Sequence, residues 1–168
     1  MKKNRHLILT ALMTAMTAVG SQIVIPIGTV PLTLQTFAVF LSGMILGPVW
    51  GGISQMAYLL LGLFGVPVFA MFTSGIGILA GPTGGFLLAF PFVAFLTGIE
   101  RGKLRVVTRL CALMILYTFG WIRLSFFIGD CLMAFSVGVL PFMGFDLLKI
   151  WGADCVHRQL KYRLMFLD

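Results

Sequence analysis

Residues 106–127 read VVTRLCALMILYTFGWIRLSFF, an apolar run of helical length whose reading decides the fold. A helix rises about 1.5 Å per residue, so about 20 such residues cross a hydrocarbon core of roughly 30 Å. The alternating ten-residue segments of a membrane β-barrel are absent.

The same character continues outward in both directions. Of 168 residues, 60% are hydrophobic and 10% charged, and the mean hydropathy is +1.06. That is far more apolar side chain than a soluble domain of this size can bury. The expected fold is an all-α integral membrane protein, one membrane domain over residues 1–168. Its six transmembrane helices are expected at about 7–25, 33–47, 50–65, 82–99, 106–127 and 142–158. The opening MKKNRHLILTALMTAMTAVG has the basic start and apolar run of a secretory signal, but no A-x-A cleavage site follows, so it is read as the first span.

Basic residues orient the spans, because Lys and Arg flanking short loops stay cytoplasmic. Lys2, Lys3 and Arg5 precede the first span, Arg101, Lys103, Arg105 and Arg109 lie between the fourth and fifth, and Arg158, Lys161 and Arg163 follow the last. All three clusters fall on one side. Both termini and the loop at 100–105 are therefore expected inside, at the cell membrane, with 26–32, 66–81 and 128–141 outside. Topology accounts for the net charge of +7, and no nucleic-acid partner is needed.

Arg123 and Lys149 remain, and Asp146 stands beside Lys149 in PFMGFDLLKIW (141–151). A charge at membrane depth costs roughly 2.5–3.5 kcal/mol, so it usually faces protein or a water-filled cavity. At i and i+3 the two share a helix face and can pair. Two readings stay open: a structural ion pair or snorkelling lysine, and a binding site.

The outer segments PIGTVPLTLQT (26–36) and GVPVFAMFTSGIGILAGPTGG (65–85) admit two readings as well. They are ordinary Pro and Gly turn chemistry, or irregular backbone folded over an outer cavity. Cys111, Cys131 and Cys155 are odd in number and widely spaced, which argues against a disulfide framework or Cys-based metal site. His6 and His157 sit in basic stretches. GIERGKL (98–104) lacks the spacing and the Ser or Thr of a phosphate loop. No enzyme chemistry, cofactor or ATP site is expected. Small residues recur at helical spacing in Ala11, Ala15 and Ala18, in Gly43, Gly47 and Gly51, and in Gly77, Gly81 and Gly85. Such rows let helices approach closely; for the glycines internal packing is the expected role, while Ala11 and Ala15 serve packing or a smooth face for another protein.

Four blocks, VPLTLQTFAVFLSGMILGP (30–48), LLLGLFGVPVFA (59–70), GPTGGFLLAF (81–90) and GVLPFMGFDLLK (138–149), resemble the BioY family, the biotin-specific substrate-binding component of energy-coupling-factor transporters. The resemblance implies a six-helix protein that takes biotin from outside and works with a transmembrane coupling protein and two cytoplasmic ATPase subunits. It implies that Ala11 and Ala15 form an A-x-x-x-A docking motif, and that Asp146 and Lys149 line the biotin pocket. Biotin has a ureido ring with two N–H donors and a carbonyl, an apolar body and an anionic carboxylate. An Asp can accept from the ureido N–H groups and a Lys can hold a ligand oxygen. Thr33, Gln35 and Thr36 are further polar candidates. Phe69, Phe86, Tyr58, Tyr117 and Trp121 are available for the ring and chain. Three departures stand out: Gly144 and Phe145 where Pro-Gly is expected, Phe86 where Tyr is common, and Arg123 where Trp is usual nearby. Arg123 is either a ligand-carboxylate partner or an ion-pair partner of Asp130. Whether the chain works only with the ATPase module or alone as a homo-oligomer stays open, as do a component for a different vitamin and a membrane-embedded packing subunit or enzyme.

Overall fold

A computed structural model describes residues 2–26, 30–99 and 104–165, with side chains described between Asn4 and Lys161. The loop bearing Glu100, Arg101 and Lys103, residues 27–29, Asp168 and the side chains of Lys2, Lys3 and Arg163 lie outside the described residues.

The chain runs α1 (Lys2–Gln22), β1 (Val24–Ile25), β2 (Leu32–Thr33), α2 (Gln35–Leu63), a 3₁₀ turn (Ala70–Phe72), α3 (Ile76–Ala80), α4 (Gly84–Thr97), α5 (Leu104–Ile128), α6 (Cys131–Gly138) and α7 (Leu140–Met165). It is all-helical apart from a short antiparallel ribbon that pairs Val24 with Thr33 and Ile25 with Leu32. The expected first span thus ends three residues early, where the chain turns into β1. Leu104–Ile128, Gln35–Leu63 and Cys131–Lys161 are long and apolar enough to cross a membrane, and α4 is apolar but shorter.

Helix α2 covers the expected second and third spans, and it is a hairpin. Gly47 sits at φ 79°, ψ 178°, a conformation essentially reserved for glycine, and Pro48 next to it cannot donate to the preceding turn. Gln35 donates to Tyr58 Oη (2.5 Å) and Gln55 to Ser42 Oγ (3.0 Å). In a straight helix Gln35 and Tyr58 would stand roughly 35 Å apart. The two arms, 35–46 and 48–63, are only roughly 18 and 24 Å long.

Glycine closes this hairpin onto α4. A Cβ on Gly43 would lie 2.1 Å from the Ala94 carbonyl oxygen, one on Gly51 2.7 Å from Gly43 Cα, and one on Gly98 2.4 Å from Pro48 N. Internal packing is therefore the role of Gly43 and Gly51, whereas Gly47 has open space around it and serves the reversal through its positive φ. The later row divides: a Cβ on Gly85 would lie 2.2 Å from the Phe119 carbonyl oxygen, whereas Gly77 has open space.

Helix α1 meets the second arm of α2 through hydroxyls. Thr10, Thr14, Thr17 and Ser21 are buried; Thr14 Oγ1 donates to Ser54 O (2.9 Å), and Gln55 Nε2 donates to Thr17 Oγ1 (3.1 Å). Such small polar contacts hold helices together where no hydrophobic driving force exists. The opposite face, with Ile8, Ala11, Leu12, Ala15 and Val19, is exposed.

The segment expected as an outer connection, 128–141, is largely helical. Asp130 caps α6, its Oδ1 accepting from Leu132 N (2.8 Å) and Met133 N (3.1 Å), an N-cap arrangement that satisfies free helical donors. Helix α7 then starts at Leu140, ahead of Gly144 and Phe145, so that departure does not set where the last helix begins.

Substituting Gly43 by Val forces Ala94 and Thr97 away and is expected to destabilise the fold by about 3 kcal/mol or more. Thermal unfolding of the detergent-purified protein measures this, with Gly77→Ala as the tolerated comparison.

Candidate ligand-binding site

A cavity of about 340 Å³ opens at the end of the helices where β2, the start of α2, the loop after it and the first turns of α7 converge. Val30 to Thr33 close one side, Phe69 to Met71 and Thr73 another, and Gly81 to Thr83 a third. Gln35, Thr36, Phe86, Tyr117, Asp146 and Lys149 all line it. It is of a size typical of small-molecule sites.

Asp146 is the charged centre, with a side chain only 4% exposed. Its Oδ1 accepts from Lys149 Nζ (2.9 Å) and Thr36 Oγ1 (3.0 Å), and its Oδ2 accepts from Tyr117 Oη (2.9 Å). Lys149 also donates to Thr36 Oγ1 (2.9 Å). Three helices, α2, α5 and α7, thus converge on one carboxylate. A carboxylate has about four acceptor sites and an ammonium three donors. Among the described residues three of the former and two of the latter are used, which leaves one acceptor at Oδ2 and one donor at Nζ. Thr36 gives its hydrogen to Asp146 and accepts from Lys149, so it links the pair from the cavity wall.

The second polar group is Gln35, buried at the foot of the cavity. Tyr58 donates its hydroxyl hydrogen to Val68 O (2.9 Å), so Oη accepts from Gln35 Nε2, which fixes the amide's orientation and turns Oε1 to other partners as an acceptor. Thr33 and Thr83 add hydroxyls.

The apolar walls rest on missing side chains. A Cβ on Gly62 would lie 2.1 Å from the Phe69 ring, and one on Gly120 2.1 Å from the Phe86 ring. Glycine at those positions seats both aromatics. Leu87, Phe90, Leu116 and Phe142 complete the lining; sequence reasoning did not single them out, because nothing distinguishes them from other apolar residues of the same helices.

Two expected aromatics stand elsewhere. Tyr58 lies behind the wall, edge-on to Phe69 at 5.6 Å, and Trp121 donates to Cys131 O (2.8 Å) and packs on Phe135. Arg123 departs from both of its expected roles. Its guanidinium donates to the carbonyls of Ala80 and Gly81, at the end of α3, and lies over Phe127. It does not line the cavity, and Asp130 serves as the cap of α6.

A second charged cluster was missed. Arg109, expected only as a topology marker, is buried; its Nη1 contacts Asp154 Oδ1 (2.7 Å), and Arg158 Nη2 contacts Asp154 Oδ2 (2.6 Å). Arg109 and Asp154 each lie eight residues (117 − 109 and 154 − 146) from the Tyr117–Asp146 contact, so α5 and α7 run antiparallel with two polar rungs.

Residues 1–165 match the model of the family described as the BioY family. The chain is 45% identical over 159 residues to a probable biotin transporter BioY of Pyrococcus horikoshii, covering 95% of this chain and 98% of that one. It is 41% identical over 162 residues to the biotin transporter BioY of Thermotoga maritima, covering 94% and 96%. A solved structure, the S-component for biotin from an ECF-type ABC transporter, superposes with a TM-score of 0.78 at 33% identity, covering 95% of this chain and 93% of that one.

Because Asp146 is buried with its partners, Lys149→Met is expected to lower the stability of the ligand-free protein by about 1–3 kcal/mol. Asp146→Asn added to it should restore part of the loss. Thermal unfolding of the two single variants and the double variant measures the coupling; strictly additive effects would show that the pair is not one unit.

Proposed function

The chain belongs to the BioY family, and from that membership we propose that it is the membrane-embedded biotin-binding component of an uptake system, a transport protein and not an enzyme. The observation that carries the reading is the pairing of one open acceptor on Asp146 with one open donor on Lys149 at the wall of an otherwise largely apolar cavity. A cyclic urea presents an N–H beside a carbonyl oxygen. Asp146 Oδ2 accepts the ureido N–H, Lys149 Nζ donates to the ureido oxygen, and both are charge-assisted bonds. The apolar ring and chain lie against Phe69, Phe86 and Leu116. Gln35 and Thr33 serve the remaining polar atoms.

Biotin enters from outside, where the ribbon and the loop at 66–81 border the cavity. The topology has six crossings with both termini cytoplasmic, supported by the three basic clusters and by the reversal of α2 at Gly47, which brings its two arms back across the same layer. Energy comes from an ATP-driven module made of a transmembrane coupling protein and two ATPase subunits. Ala11 and Ala15, on the exposed face of α1, are the docking surface for it. A component for another vitamin, and a packing subunit or an enzyme, are disfavoured by the family membership.

Equilibrium binding of biotin to the purified protein tests the reading, and folded protein that binds no biotin at micromolar ligand would refute it. Asp146→Asn and Lys149→Ala are each expected to weaken binding at least tenfold, about 1.4 kcal/mol. Replacing Ala11 and Ala15 together by Leu should abolish co-purification with the coupling module while biotin affinity stays within about twofold of wild type, since neither residue is near the cavity.

A further inference from the structure

The wall of the cavity formed by Phe69 to Thr73 lies between two glycines and is hydrogen-bonded to a residue outside the site. At its two feet stand Gly65 (φ 94°) and Gly75 (φ 91°), both with open space around them. Each foot is tied to the end of α2, through Val66 N to Leu61 O (3.0 Å) and Gly75 N to Gly62 O (2.7 Å). Between them, Met71 (φ 58°) and Phe72 (φ 55°) are in the left-handed region, which side-chain-bearing residues adopt only when their surroundings impose it. Their own side chains do not impose it, since they are 65% and 72% exposed.

The turn's own bonds, Phe69 N to Thr73 O (3.0 Å) and Thr73 Oγ1 to Ala70 O (2.9 Å), hold it together with the last residues of α1. Gln22 Nε2 donates to Phe69 O (3.0 Å), and Gln22 Oε1 accepts from Phe72 N (2.9 Å), so one amide spans the strained turn from end to end. Nε2 is also held by Ser21 Oγ (2.8 Å), which in turn donates to Val68 O (2.6 Å). Met71 lines the cavity at the tip of this turn, whereas Gln22 does not line it.

We propose that Gln22 is a positioning residue that clasps this flap shut, so that its two hydrogen bonds set how long a ligand stays in the cavity. With the clasp released, the left-handed strain drives the turn open about the two glycines. The ligand part of this inference rests on the biotin-binding reading above; the clasp itself does not.

Gln22→Met keeps the side-chain volume and removes both bonds. Two measurements on the full chain in lipid nanodiscs test it: amide hydrogen exchange across residues 66–75 without ligand, and the separate association and dissociation rates of biotin. The expected result is exchange accelerated roughly tenfold in the flap alone, with biotin dissociating roughly tenfold faster and associating within about threefold of wild type. Unchanged flap exchange overturns the clasp. Faster exchange with unchanged dissociation overturns its control of ligand residence. If wild-type protein binds no biotin, the ligand reading fails by itself and exchange still decides the clasp.

Discussion

A carboxylate buried among helices is tolerable only if every neighbour agrees to it, and Asp146 imposes that agreement on the rest of the molecule. Its oxygens take hydrogen bonds from α2 through Thr36, from α5 through Tyr117 and from its own helix through Lys149. An uncompensated charge there would cost several kcal/mol. The cheapest arrangement brings the starts of α2 and α7 beside the middle of α5, which leaves the space above them as a cavity. The site is thus the place where the constraint is met.

Around that centre the chain uses absent atoms as much as present ones. Gly43, Gly51 and Gly98 let the α2 hairpin lie against α4, and Gly62 and Gly120 let Phe69 and Phe86 lie flat enough to line the cavity. In a membrane, where apolar contact with lipid competes equally with apolar contact between helices, close backbone approach and small polar bonds carry association. The seam of Thr14, Thr17, Ser54 and Gln55 between α1 and α2 is the polar counterpart of the glycine contacts.

Much of this was legible in the sequence where a residue type was out of place. Asp146 and Lys149 stood out because charge is rare in an apolar run, and Gln35 with its threonines because they directly precede one; all of these line the cavity. Helix positions followed from apolar runs, and the break between the runs at 33–47 and 50–65 fell where α2 reverses at Gly47. What could not be read depends on distant partners. Tyr117 and Trp121 are one turn apart on α5, and only the fold shows that the first reaches Asp146 while the second bonds Cys131. Arg109 and Asp154 are 45 residues apart (154 − 109), and each alone resembles a flanking charge. Gly129-Asp130 was read as part of a connection, although a glycine followed by an aspartate also suits a helix cap. Gln22 carried no signal, since a polar residue at a helix end is ordinary.

The hairpin has a further consequence for the protein as a body in a bilayer. Its arms, and α4 beside them, are roughly 18 to 24 Å long, while α5 and α7 reach roughly 37 to 39 Å. The shorter helices therefore fall short of the hydrocarbon layer, while the longer ones can tilt within it. Lipid that meets the shorter helices thins against them, at a cost of fractions of a kcal/mol per Å.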